Sequence, residues 1–182
     1  MACGLVVGRR LQSGQDREDN PLEPPLQKRF DVLTAIHRAS YFQWLRTAVS
    51  LWPEASQRAL VAAYWTEVGH DTAGNYLKHI DRSKPLPGEV AKNVVFSSIC
   101  MGEDAALIGG EGSEVYVEHK NCPWYEWHAK MNRLDQDQLG CDTWIQTLVS
   151  DINRDLESSV RWETIKSLPE GDDTCLRRFW SE

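Results

Sequence analysis

Partway along this chain the spacing of its apolar residues switches from three or four to two, and that switch decides the kind of fold available. Phe30, Leu33, His37, Tyr41, Trp44, Ala48 and Leu51 fall on one helical face, and Pro53 ends the run. A second stretch, Glu54 to Ile80, carries Ala59, Leu60, Ala63, Tyr64 and Val68, with Gly69 and Gly74 expected to break or bend it near His70. Pro85 and Pro87 mark a loop from Ser83 to Gly88, and a third helix is expected from Glu89 to Met101. After the Gly-rich stretch Gly102 to Gly112, Val115, Val117 and His119 alternate with Tyr116, Glu118 and Lys120, as a strand does. Asn121-Cys-Pro-Trp closes that strand. Gln136 to Leu156 reads as a long helix, Val160 to Ile165 as a strand, Pro169 to Asp173 as a turn and Thr174 to Trp180 as a final strand. The order predicts an α+β fold: a helical N-terminal half packed on a small antiparallel sheet in a single domain.

Length and charge narrow the function classes. The chain has 182 residues, near the ~150 usual for one domain. Its net charge is −7, from 20 Lys plus Arg against 27 Asp plus Glu, which argues against a nucleic-acid backbone or an anionic membrane as main partner. No run of apolar residues is long enough to span a bilayer. Residues 1–27, polar and Pro-rich toward their end, read as a disordered tail, leaving 28–182 as the domain. The short apolar stretch Leu5 to Val7, followed by Arg9 and Arg10, does not fit a secretory leader, so a cytoplasmic protein is expected. These features leave room for a homo-oligomer. Eight Trp point to large flat apolar surfaces in a core or pocket.

Five cysteines, an odd number at scattered positions, do not form a disulfide framework. Three of them stand at the edges of expected elements: Cys122 after a strand, Cys141 near a helix start and Cys175 at the opening of the last strand. Such positions allow three thiols to converge at one end of a sheet as ligands of a zinc, although the spacing is far from CxxC. A helix N-terminus would favour the thiolate at Cys141. Buried, unreactive core cysteines are the alternative. Glu118, His119, Glu126 and His128 flank Cys122 and offer general acids and bases or solvated loop residues. His37, on an apolar face, reads as a core histidine. Alternation puts Arg177 on the face of Cys175 and Phe179, where it would suit a substrate carboxylate, and turns Arg178 away. Asp172 and Asp173 either orient a ligand or cap their turn.

The order Cys122-Pro123-Trp124, then Cys141-Asp142, then Gly171-Asp172-Asp173-x-Cys175 before a basic, aromatic strand resembles the aminothiazoline-carboxylate hydrolase family. The layout is also similar to the four-vinyl-reductase domain, a small-molecule sensing module with zinc-binding cysteines. Leu176 and Arg177 depart from the hydrolase pattern, where an acidic residue and an aromatic are usual, which bears on the substrate rather than the fold. The resemblance implies a hydrolase that opens a cyclic amidine at its C=N carbon, with or without zinc. Cys175 or Cys122 would attack, or Cys122, Cys141 and Cys175 would hold a zinc whose water attacks. His128 or His119 would be the base, Asp172 or Asp173 would hold the amidinium, Arg177 would bind a carboxylate of the small-molecule substrate, and Trp124, Trp127 and Trp162 would wall the pocket. The alternative it implies is a zinc-containing sensor without turnover.

Overall fold

The computed structural model describes residues 24–110 and 112–181. Five helices and a four-stranded sheet follow in the order α1 (Leu26–Leu51), α2 (Gln57–Tyr76), α3 (Leu86–Cys100), β1 (Asp104–Ile108), β2 (Glu114–Asn121), α4 (Pro123–Lys130), α5 (Leu134–Leu156), β3 (Arg161–Lys166) and β4 (Cys175–Trp180). A single 3-10 turn over Leu168–Glu170 separates the last two strands. This is the α+β, single-domain arrangement that the change of period predicts. The expected tail lies mostly outside the described residues, and Leu26 and Gln27 already belong to α1.

The sheet is antiparallel throughout, in the order β1-β2-β4-β3, so β4 is an inner strand. Val117 and Thr164 stand opposite Arg177 on its two sides, and Val115 and Trp162 stand opposite Phe179. Val115, Val117, His119, Cys175, Arg177 and Phe179 face the helices and are buried. The opposite face stays open to solvent. There Arg178 bonds Glu163 at 3.1 Å and Glu114 at 2.8 Å, and its guanidinium lies 4.5 Å from the Trp180 ring centroid.

Two clusters make the core. Val90, Val94, Ile145, Leu148 and Ile152 of α3 and α5 pack on the inner face of the sheet. A separate aromatic cluster joins Tyr41 and Phe42 of α1 to Trp124 of α4, with Tyr64, Trp65 and Trp127 against it. Helices α2 and α5 approach closely because Gly69 and Gly140 leave room for a neighbour. A Cβ at Gly69 would stand 2.6 Å from the Thr147 Cβ, and one at Gly140 would stand 2.6 Å from the Trp65 Nε1. The same helices are tied by His70 Nδ1 and Asp151 Oδ2 at 2.5 Å.

Several local expectations are corrected. Helix α2 runs unbroken through Gly69 and Gly74, because Gly69 is used for close packing and not for a bend. The Gly-rich stretch, to which the sequence pattern assigns no element, contains β1, which gains its strand form by pairing with β2. The segment after Asn121 is helix α4, opened by Pro123 at its first position, where proline's fixed φ suits a helix and its missing N–H costs nothing. Helix α3 starts three residues earlier than Glu89. On α1 the buried side is Thr34, Arg38, Tyr41, Phe42, Leu45 and Ala48, rotated from the expected face. Leu26, Leu33, Ile36 and Leu51 form an apolar stripe that remains exposed. No described helix is long and apolar enough to cross a membrane.

Candidate functional site

Where the two core clusters meet, the side chains leave a chamber of about 350 Å3. Its upper walls are apolar: Trp65 and Val68 from α2, Phe96 from α3, Trp124 from α4, and Trp144 and Ile145 from α5. Phe96 is 67% exposed and Cys100 is exposed, which marks the mouth. His37 also reaches the chamber, edge-on to Trp124 at 5.8 Å between ring centroids, and is exposed rather than the core histidine expected.

The polar side of the chamber gathers residues from β2, α4, α5 and β4. Cys122, Cys141 and Cys175 line it together with His128 and Arg177. Convergence of the three thiols is therefore real, but their chemical state differs from the expectation. Cys141 lies in the third turn of α5, not at its N-terminus, so no helix dipole acts on it. Burial pushes all three thiols up, most strongly at Cys141 and Cys122, with nearby carboxylates adding to the shift there. At Cys175 the Arg177 charge and the Leu168 N–H, which donates to the Cys175 Sγ at 3.3 Å, offset part of that rise. Burial that disfavours the thiolate makes each a poor nucleophile. Among the described residues, no three His, Cys, Asp or Glu side chains are placed to hold a metal ion, and this corrects the zinc reading of Cys122, Cys141 and Cys175.

The histidines have definable orientations. His128 Nδ1 lies 2.9 Å from the Trp124 carbonyl, which can only accept, so Nδ1 carries the hydrogen. Asp137 Oδ1 lies 2.9 Å from the same nitrogen, and the buried His128 Nε2 has no partner. His119 Nε2 is 2.9 Å from Ser98 Oγ and 3.3 Å from Glu103 Oε2, while its Nδ1 is also unpartnered. A serine relay needs hydroxyl and carboxylate on opposite ring nitrogens. Here both meet Nε2, so Ser98, His119 and Glu103 form a structural network.

Arg177 is 4% exposed and faces the chamber, as alternation predicts. Its Nε has no hydrogen-bond partner. The other expected site residues lie elsewhere. Asp172 accepts the Ser167 N–H at 2.7 Å and so holds its turn. Asp173 is exposed and paired with Lys166 at 3.0 Å, which holds its carboxyl below the usual range. Trp127 stacks on Phe42 outside the chamber, and Trp162 donates to Gln146 at 3.2 Å beside the sheet. Sequence reading missed the walls supplied by Trp65, Val68, Phe96 and Trp144, and the acids Glu103 and Asp137. Their one sequence signal was the high Trp count.

No family model matches the chain, and no curated protein matches it. Among solved structures it is similar to a trafficking protein particle complex subunit 3 from Naegleria fowleri, described as covalently bound to palmitic acid. Identity is 12% and the TM-score 0.50, over 84% of this chain and 96% of that one. These findings overturn the resemblance to the aminothiazoline-carboxylate hydrolase family, and with it both the ring-opening of a cyclic amidine and the zinc-sensor alternative. The likeness lies in the fold: the chain has an architecture shared with a trafficking-complex subunit.

Proposed function

We propose that this chain is a binding module that encloses an apolar small molecule in its internal chamber and acts as a carrier. The observation that carries this reading is the chamber itself. Its volume of about 350 Å3 is in the range of small-ligand sites, and its mostly apolar surface, with Trp65, Val68, Phe96, Trp124, Trp144 and Ile145 in the walls, is joined by a polar side that carries Arg177. Thiols whose ionisation is disfavoured by desolvation support retention of a ligand over covalent chemistry on it. The similar trafficking subunit is described with palmitic acid attached, so a fold of this kind is able to carry a fatty acyl group. That likeness also supports a setting in vesicle traffic on the cytosolic side of membranes. The exposed apolar stripe of α1 supports work alongside another chain, such as a second copy.

Native mass spectrometry of the untagged full-length protein tests the reading. The expected result is a mass above that of the chain, lost on organic extraction, with about one small molecule recovered per chain. Addition of decan-1-ol to the extracted protein should raise its melting temperature, because a ligand that binds only the folded state stabilises it. A native mass equal to that of the chain, with a melting temperature unmoved by decan-1-ol, contradicts it.

A further inference from the structure

The chamber's polar side holds the carboxylates of Asp137 and Glu103 and one guanidinium, that of Arg177, with Asp142 next in sequence to Cys141. Asp137 faces His128 Nδ1 at 2.9 Å, and Glu103 faces His119 Nε2 at 3.3 Å. Asp142 accepts from Gln138 Nε2 at 2.6 Å and from Thr164 Oγ1 at 3.1 Å. Among the described residues Arg177 forms no ion pair with a carboxylate. The Cys141 and Cys175 thiols and Asp142 act on its charge, its side chain hydrogen-bonds the Cys175 sulfur, and its Nε bonds to nothing. A guanidinium cannot shed its charge as a buried lysine can, so one held in a core without a carboxylate partner is a costly arrangement. Its inner-strand position, between Val117 and Thr164, prevents it from swinging out to solvent. Planar and forked, it matches the two oxygens of a carboxylate.

We propose that the ligand carries a carboxylate at one end of an otherwise apolar body, and that Arg177 receives that carboxylate. The proposal rests on the chamber being a ligand site and adds the chemistry of the ligand's head. The apolar tail lies along Trp65, Phe96 and Trp144 toward the mouth.

Calorimetric titration of the extracted, full-length chain with decanoate, decan-1-ol and decylamine separates this proposal from the chamber reading. The three share a tail and differ in the head. Decanoate should bind at least about tenfold tighter than decan-1-ol, and decylamine should be weakest. Arg177→Gln should bring decanoate to the level of decan-1-ol, and Arg177→Lys, which keeps the charge but loses the fork, should recover only part of the preference. The wild-type comparison stands by itself if a variant does not fold. Alcohol and acid binding equally overturns the carboxylate and leaves the chamber intact. A preference for decanoate that survives in a folded Arg177→Gln overturns the role of Arg177. Failure of all three to bind overturns the chamber reading and this proposal together.

Discussion

The four described thiols differ first in where they stand: Cys100 is exposed at the mouth, whereas Cys122, Cys141 and Cys175 face the interior. Burial raises the interior thiols, and a raised thiol has little thiolate at neutral pH. Among these four, iodoacetamide at pH 8 should therefore label Cys100 first, by at least about tenfold in rate. Peptide mass spectrometry reads the order, and Cys141 or Cys122 labelled as fast as Cys100 would contradict the account. The sequence allowed these three cysteines to face one space, and all three line the chamber, with Cys141 reaching it from the third turn of α5. The sequence reading misjudged their chemistry because charge state depends on depth, and depth comes from helices far away in sequence. Arg177 was legible by contrast, since alternation alone assigns its face. Asp172 and Asp173 were not, because a turn aspartate that caps and one that binds look alike in sequence.

Helices α2 and α5 set the width of the chamber. Gly140 lets the Trp65 indole, one of the chamber's walls, lie against α5, and a Cβ there would meet the Trp65 Nε1 at 2.6 Å. Gly140→Ala should cost about 1–3 kcal/mol of stability through overpacking. Gly74, in α2 with nothing near its Cβ position, gives the matched control: Gly74→Ala should gain about 0.5–1 kcal/mol. Chemical denaturation of both variants checks the pair, and equal shifts would contradict the close approach. At this scale, element type was legible wherever the apolar period ran long, as in α1 and α5. Strand β1 was not, because five residues beside glycines gain strand form only by pairing with β2. Helix α4 was not, because Pro123 reads equally as a loop or as a first helical turn. On α1 both sides are apolar, so periodicity located the helix but not the side that meets the core.

The molecule as a whole is two apolar clusters that leave a space between them. The sheet-side cluster and the aromatic cluster each close well, and their junction holds the chamber with Arg177 on its polar side. Packed interiors seldom leave such a volume without use. The α+β class and single domain follow from the order of periods, while the chamber arises from the assembly of seven helices and strands and has no linear motif. The short cysteine and Gly-Asp-Asp segments drew the sequence reading toward a hydrolase, because they are local and the chamber is not. A crystal structure of the full-length protein soaked with 10-bromodecan-1-ol tests the central claim most directly, since bromine is located by its anomalous signal. The account predicts a bromine peak inside the chamber, between Trp65, Phe96 and Trp144. A peak confined to the exposed stripe of α1, with the chamber left to water, would contradict it.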